Sequence, residues 1–355
     1  MNETSSTAST IVPEGTAVPL PSPERPAFRP LARPRIGIVG CGLVGDLHRE
    51  RLEREEVEIA AVCDPDANAL AEMAARIRPR PRLFRSEQDM LMAEGVDAVL
   101  LCTPHSRHAE QVRHALEAGA HVLCEKPFVT EHAVGSELVE EAQRRGLVLF
   151  VAYTRRSRGH ARFLLHAAER IGPLDRVIIT RAQPWWQQHR RTWRVHQEEG
   201  GGFLLDAGAS MIDLLVRLVP SSVTEAEAIL ERPGAAQVDV RGSIHLAFSN
   251  GTRADLNLLG DATEKVERIQ LFGQNGTAGW FLREDVPHDL YIRPEGGPTE
   301  EGDPARYRTI LPDAGFVAAL RGTERAGEGR ELYDAATSLP AVALVERIFQ
   351  VARWR

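Results

Sequence analysis

The feature that most constrains this chain is a short apolar run, Arg35-Ile36-Gly37-Ile38-Val39, that leads directly into Gly40-Cys41-Gly42-Leu43-Val44-Gly45. A helical pattern follows through Leu52. Strand, G-x-G-x-x-G and helix in that order open a dinucleotide-binding βαβ unit, and each glycine has its own physical reason. Gly40 permits the tight turn, Gly42 lets backbone N–H groups approach a pyrophosphate, and Gly45 lets the helix pack close to the strand. Leu43 and Val44 complete the loop, at a helix N-terminus whose positive end would face the phosphates. Asp64 ends the next strand, 24 positions after Gly40. There a carboxylate accepts hydrogen bonds from the adenosine ribose hydroxyls and repels a 2′-phosphate. Pro65-Asp66-Ala67-Asn68 offers no arginine for that phosphate, so NAD is expected over NADP.

The rhythm of the chain extends this beginning. Apolar strands at 57–62, 96–102, 122–124 and 147–152 alternate with helical patterns at 67–76, 108–118 and 134–145. Such alternation predicts a parallel sheet. After about residue 156 the pattern changes to closely spaced alternating strands, with turn signals at Asn250-Gly251 and Asn275-Gly276. That predicts an α+β unit with a large, mostly antiparallel sheet. Helices are expected over 161–170, 204–219, 316–320 and 341–352, and an acidic exposed loop rich in Gly and Pro over 284–308. The expected division is a disordered Pro-rich arm at 1–33, a dinucleotide-binding domain at 34–155, and a substrate and oligomerisation domain at 156–355.

Composition narrows the function classes. A net charge of -7 argues against nucleic acid or an anionic membrane as partner. No run reaches the roughly 18 apolar residues of a spanning helix, and no signal-peptide pattern opens the chain. A cytoplasmic protein is expected. The cysteines Cys41, Cys63, Cys102 and Cys124 lack metal-ligand spacing, so no metal site is expected and small buried thiols fit best. The chain has only two lysines, Lys126 and Lys265, among 43 basic residues. A sequence that otherwise uses arginine has a chemical reason for lysine where a proton must move, because only lysine gives one up readily.

Lys126 lies in Glu125-Lys126-Pro127, at the end of a parallel strand where a nicotinamide would lie. Upstream stand Thr103-Pro104-His105-Ser106-Arg107-His108 and Ala118-Gly119-Ala120-His121-Val122; downstream, Gly200-Gly201-Gly202 leads to Asp206. Together these motifs resemble the Gfo/Idh/MocA family of oxidoreductases across roughly residues 35–355. The resemblance implies a Rossmann domain plus a C-terminal α+β domain, and a homodimer or homotetramer. It implies cofactor contacts at Thr103, Pro104, His108, Glu125 and Lys126, in addition to the glycine loop and Asp64. It also implies a proline at 127 that is commonly cis, and Lys126 as the lysine that meets the substrate hydroxyl and assists its proton transfer.

One position departs from the family pattern. Relatives carry a histidine four residues after the aspartate and a second aspartate three further on, whereas this chain has Asp206, Ser210 and Asp213. At about 100° per residue the three fall on one helix face, but a serine cannot serve as a base near neutrality. Either Lys126 carries proton transfer with Asp206 orienting substrate, or another histidine such as His189 or His196 reaches the site, or the chain binds dinucleotide without turnover. Tyr153, Trp185 and His189 are further candidate substrate contacts. The loop from Pro184 to Arg194 holds three of the five tryptophans beside three arginines, which suits a sugar, cyclitol or glycoside. NAD-dependent hydride transfer at a hydroxyl/carbonyl pair is the expected function. A cofactor-retaining glycoside-cleaving enzyme and a non-catalytic dinucleotide-binding regulator are the alternatives.

Overall fold

The structure is a computed structural model that describes residues 29–283, 286–307 and 310–355. The expected arm lies outside the described residues up to position 28. The first unit runs β1 (Arg35–Val39), α1 (Leu43–Arg54), β2 (Glu58–Cys63), α2 (Ala67–Arg76), β3 (Arg82–Phe84), α3 (Glu87–Met92), β4 (Ala98–Leu101), α4 (His108–Glu117), β5 (His121–Cys124), α5 (His132–Arg145) and β6 (Leu149–Val151). Its six strands pair in the order β3-β2-β1-β4-β5-β6, all parallel. Every residue of β4, β5 and β6 is buried, as helices on both faces of a parallel sheet require. The strand order reverses between β1 and β4. A crevice opens at such a switch point, beyond the carboxyl ends of the strands.

The second unit begins with α6 (Gly159–Arg170), β7 (Leu174–Ala182) and the short α7 (Trp185–His189). A π-helical turn, Leu204–Gly208, runs into α8 (Ala209–Leu218). Then follow β8 (Val223–Glu231), β9 (Arg241–Phe248), β10 (Arg253–Leu259), β11 (Val266–Gly273), β12 (Gly276–Arg283), β13 (Val286–Pro294) and β14 (Glu300–Glu301). The chain ends in α9 (Pro312–Arg321), α10 (Ala326–Tyr333), α11 (Leu339–Val351) and β15 (Ala352–Trp354). Nine strands form one sheet, β14-β13-β12-β11-β7-β10-β9-β8-β15. Only the β7–β10 and β8–β15 pairs are parallel.

One expectation needs correction. Residues 284–308 are not a continuous loop, because β13 pairs along the length of β12. Buried Leu290 and Ile292 alternate with polar neighbours, which is the strand signature; the acidic composition around them obscured it. Among the described residues the Gly- and Pro-rich irregular chain is limited to two short stretches, 295–299 and 302–307, on either side of β14.

The C-terminal helices return to the first unit. Phe316, Val317 and Leu320 of α9 and Tyr333 of α10 pack in one buried cluster with Ile36, Ile38 and Phe150 of the parallel sheet. The Leu31 N–H donates to Leu320 O at 2.8 Å, so the chain is already anchored just before β1. Arg156 ties this return to the rest. Its side chain, 1% exposed, forks onto Asp213 of α8 at 2.8 and 2.5 Å. Nη1 also donates to Leu332 O at 2.6 Å and Thr337 Oγ1 at 2.5 Å. Replacing Arg156 with alanine strands a buried carboxylate, so Arg156→Ala is expected to cost about 3–5 kcal/mol in urea unfolding. Removing both charges with Arg156→Met/Asp213→Leu should recover much of that loss.

Candidate active site

The crevice at the switch point is built by the glycine loop. Gly40 has φ +94°, and a Cβ there would meet Cys102 O at 2.6 Å; one on Gly45 would meet Gly40 O at 2.0 Å. Both positions are therefore closed to any side chain. Gly42 is different: it faces open space, caps α1 without a side-chain hydrogen bond, and lines a cavity of about 680 Å³. A dinucleotide pyrophosphate fits an uncovered helix N-terminus of this kind. Asp64, Thr103 and Pro104 line the same cavity. The Asp64 carboxylate accepts from Cys41 N at 2.8 Å and Asp66 N at 2.9 Å, so it shapes the loop and presents its remaining lone pairs to the cavity. The absence of an arginine directly after Asp64 does not extend to three dimensions. Arg85, from the β3–α3 connection, lines this cavity and donates to Pro65 O at 2.9 Å.

A second cavity, about 440 Å³, continues from Gly42, Leu43 and Val44 to Glu125, Lys126 and Asp206. The Lys126–Pro127 peptide is cis. Lys126 Nζ donates to the Asp206 backbone carbonyl at 2.5 Å and lies 3.3 Å from its carboxylate. The π-helical turn makes this contact possible: Ala209 N–H reaches back to Leu204 O, and the widened turn re-aims Asp206. Burial works against the Asp206 charge, but Lys126 and Arg194 outweigh it and hold the carboxyl far below its usual range. Trp185 Nε1 donates to Asp206 Oδ2 at 2.6 Å.

Behind Glu125 lies a buried relay. His48, 0% exposed, holds Asp313 Oδ1 at 2.6 Å from Nδ1 and Glu125 Oε1 at 2.9 Å from Nε2. Burial opposes an imidazolium, yet Asp313 and Glu125 overcome it and push His48 up to about 9. The other Glu125 oxygen accepts from Lys126 N at 3.1 Å. α1, β5 and α9 therefore meet at one proton-bearing ring next to the lysine.

A third cavity, about 320 Å³, opens from Glu125 and Lys126 onto the helix-covered face of the nine-stranded sheet, lined by Tyr153, Ser210, Arg181, Glu267 and Trp280 among others. Strand register creates its floor, because Glu267 of β11 stands between Arg181 of β7 and Leu282 of β12.

Most predicted residues converge here, but five do not line the cavities: Gly45 is packed against Gly40 behind the loop, and four side chains lie elsewhere. His108 is fully buried, 2.8 Å from Pro127 O and 3.1 Å from Thr103 O, a strut beneath the crevice rather than a wall of it. Trp185, expected to face a substrate, is also fully buried, with its Nε1 on Asp206 Oδ2. Asp213 leaves the expected stripe for Arg156, since the π turn breaks the 100° spacing. His196 is exposed, with Glu198 at 3.8 Å. His189 does line the Lys126–Asp206 cavity. The Ser210 hydroxyl donates to Ala207 O at 3.0 Å within its own helix. Burial pushes the Cys41 and Cys63 thiols up to about 12, which removes them as nucleophiles.

Sequence reasoning missed His48, Asp313, His105 and the basic floor of the third cavity. His105 lines the Lys126 cavity, with Nδ1 2.8 Å from Gly200 O and its ring edge-on to Trp193 at 4.6 Å. Burial, with His108 and Lys126 nearby, lowers it to about 3, so it is a neutral ring. For His48 a signal did exist: Gly45, His48, Arg49 and Leu52 recur at helical spacing on the buried face of α1.

A dinucleotide crevice that meets a lysine–aspartate pair between two domains defines a nicotinamide-dependent oxidoreductase architecture. The comparisons agree with that architecture. The profile of the oxidoreductase family with an NAD-binding Rossmann fold matches residues 34–153, and that of the GFO/IDH/MocA C-terminal domain matches residues 164–279. An inositol 2-dehydrogenase from Cereibacter sphaeroides is 34% identical over 253 residues, 69% of this chain and 72% of that protein. The WlbA dehydrogenase from Bordetella pertussis, solved with NADH and UDP-GlcNAcA, superposes with a TM-score of 0.74 at 24% identity, covering 90% of this chain and 96% of that one. A 3-ketoreductase from Actinomadura kijaniata, solved with TDP-benzene and NADP, gives 0.72 at 22% identity over 91% and 98%. The chain belongs to the Gfo/Idh/MocA family of NAD(P)-binding oxidoreductases. Among the described residues no helix is long and apolar enough to cross a membrane.

The His48 relay makes stability depend on pH. A histidine raised from 6.5 to about 9 in the fold contributes stability that is fully present below pH 6.5 and lost as pH rises through about 9. The melting temperature is therefore expected to fall between about pH 7 and 10. In His48→Asn that slope should flatten and the melting temperature at neutral pH should drop, as read by differential scanning fluorimetry.

Proposed function

We propose that this protein is an NAD-dependent oxidoreductase acting on a hydroxyl/carbonyl pair of a sugar-like or cyclitol-like substrate, with Lys126 and Asp206 as its catalytic pair. The observation that carries this reading is Lys126 Nζ on the Asp206 carbonyl at 2.5 Å, at the point where the dinucleotide crevice meets the cavity over the second sheet. The residues that would hold the cofactor are Gly40, Gly42, Leu43, Val44, Gly45, Asp64, Thr103, Pro104 and Glu125. When bound, the nicotinamide supplies hydride exchange at C4. Lys126 hydrogen-bonds the reacting oxygen and takes or returns its proton. Asp206 keeps the ammonium directed and accepts from neighbouring hydroxyls. Ser210 lies on the wall of the substrate cavity as a hydrogen-bonding group, and His189 supplies an imidazole in the cavity that Ser210 does not. The Cereibacter relative is an inositol 2-dehydrogenase, and the Bordetella structure holds a nucleotide sugar, which supports a polyhydroxylated substrate class.

With NAD and a polyol panel, Lys126→Ala is expected to lower kcat by about a hundredfold or more while NAD affinity stays within a few-fold. Unchanged turnover would remove the mechanism. Glycoside cleavage without net NADH formation would instead indicate oxidation followed by elimination. NAD binding without turnover of any polyol would point to a regulator. Asp64 favours NAD, although Arg85 offers a 2′-phosphate partner in the same cavity. NAD is expected to bind about tenfold more tightly than NADP by calorimetry. Asp64→Ala should narrow that ratio.

A further inference from the structure

Both lysines of this arginine-rich chain line one cavity. Its wall carries Lys126, Arg155, Arg158, Arg181 and Lys265 against two carboxylates, Glu125 and Glu267. Neither carboxylate is free to neutralise the rest. Glu125 is held by His48, and Glu267, 2% exposed, is shared between the Arg155 and Arg181 guanidinium groups. One carboxylate between two guanidiniums leaves surplus positive charge in a poorly hydrated row. The Nε atoms of Arg155 and Arg181 are buried without a hydrogen-bond partner among the described residues. Arg158 borders this cavity and the Lys126–Asp206 cavity alike. Its side chain makes no ion pair or hydrogen bond among the described residues, and nor does that of Lys265. Arg158 and Lys265 are both exposed, so an anion entering the cavity from solvent can reach them. The buried, unpartnered nitrogens of Arg155 and Arg181 carry a free-energy cost that a nearby anion relieves, while Arg158 and Lys265 present unpaired positive charge to the cavity from exposed positions.

We propose that this cavity takes a carbohydrate bearing an anionic group, a carboxylate or phosphoryl, seated against Arg158 and Lys265 while the reacting hydroxyl meets Lys126. The inference deepens the redox reading and rests on it. Arg155 and Arg181, fixed by Glu267, provide the positive background. Arg158 supplies a forked donor set that matches either anion, and Lys265 adds a point charge.

The experiment uses the full chain saturated with NAD and matched substrate sets: hexoses, the corresponding hexuronates and aldonates, and the hexose phosphates. Binding is measured by calorimetry and turnover by NADH formation. At least one anionic member is expected to bind about tenfold or more tightly than its neutral twin, the worth of one charge-assisted hydrogen bond. The preferred arm, carboxylate or phosphoryl, identifies the anion. Arg158→Ala should collapse the anionic-to-neutral preference by about tenfold, and Lys265→Gln should reduce it less. The proposal is overturned if neutral members bind as well as their anionic twins, if no anion binds, or if both variants leave the preference intact. An Arg158-dependent preference without NADH formation would uphold the anion site and sink the redox reading. Turnover lost in Lys126→Ala but with neutral substrates preferred would do the reverse.

Discussion

The ring of His48 between Asp313 and Glu125 is the contact on which the site depends. A cationic ring with no exposure is tolerated only because a carboxylate lies on each side of it. Each partner comes from a different part of the chain: the helix that follows the glycine loop, the end of the strand that delivers Lys126, and a helix from the C-terminal return. The glycine loop, the strand end that carries Lys126 and the late helix thus have one relative position. Glu125 in turn accepts from the Lys126 backbone N–H, so the orientation of the lysine is set from behind. Above it, Trp185 and Arg194 hold Asp206 from the opposite side. Lys126 and Asp206 are clamped by separate networks and meet where these end.

The nine-stranded sheet contributes in a different way. Its register places Arg181, Glu267 and Leu282 in one row across three strands, on the same face as the core residues Ile179, Ile269 and Trp280. The face that buries Val177 and Leu271 further along becomes the charged floor of a cavity where the covering helices stop. A continuous strand pattern thus builds both the core and the floor of a cavity, and the change from apolar to charged occurs within two residues of one strand.

The legible part of this architecture was what local backbone chemistry dictates. Gly40, Gly42 and Gly45 follow from turn and helix-packing geometry, Asp64 from its position at a strand end, and Lys126 from its rarity beside Pro127. The parallel sheet was readable because its strands are apolar throughout. What escaped was set by distance along the chain or by irregular backbone. His48 and Asp313 are 265 positions apart, and Arg181 and Glu267 meet only through strand register. Ideal helical spacing put Asp213 beside Asp206, yet a single π turn sends it to Arg156. The strand at Val286–Pro294 was hidden by acidic and Pro-rich neighbours. Arg85 was invisible because it enters the Asp64 cavity from the β3–α3 connection, well beyond the residues that follow Asp64 in sequence.

The return of the last helices into the first sheet has a consequence for biosynthesis. Ile36 and Phe150 are covered by Phe316 and Tyr333, so a ribosome that has finished the sixth strand still has about half the message to read before the apolar underside of that sheet can close. Through that interval the nascent polypeptide exposes a surface that invites chaperones or misassembly. A fragment cut at the apparent domain border would inherit the same defect permanently.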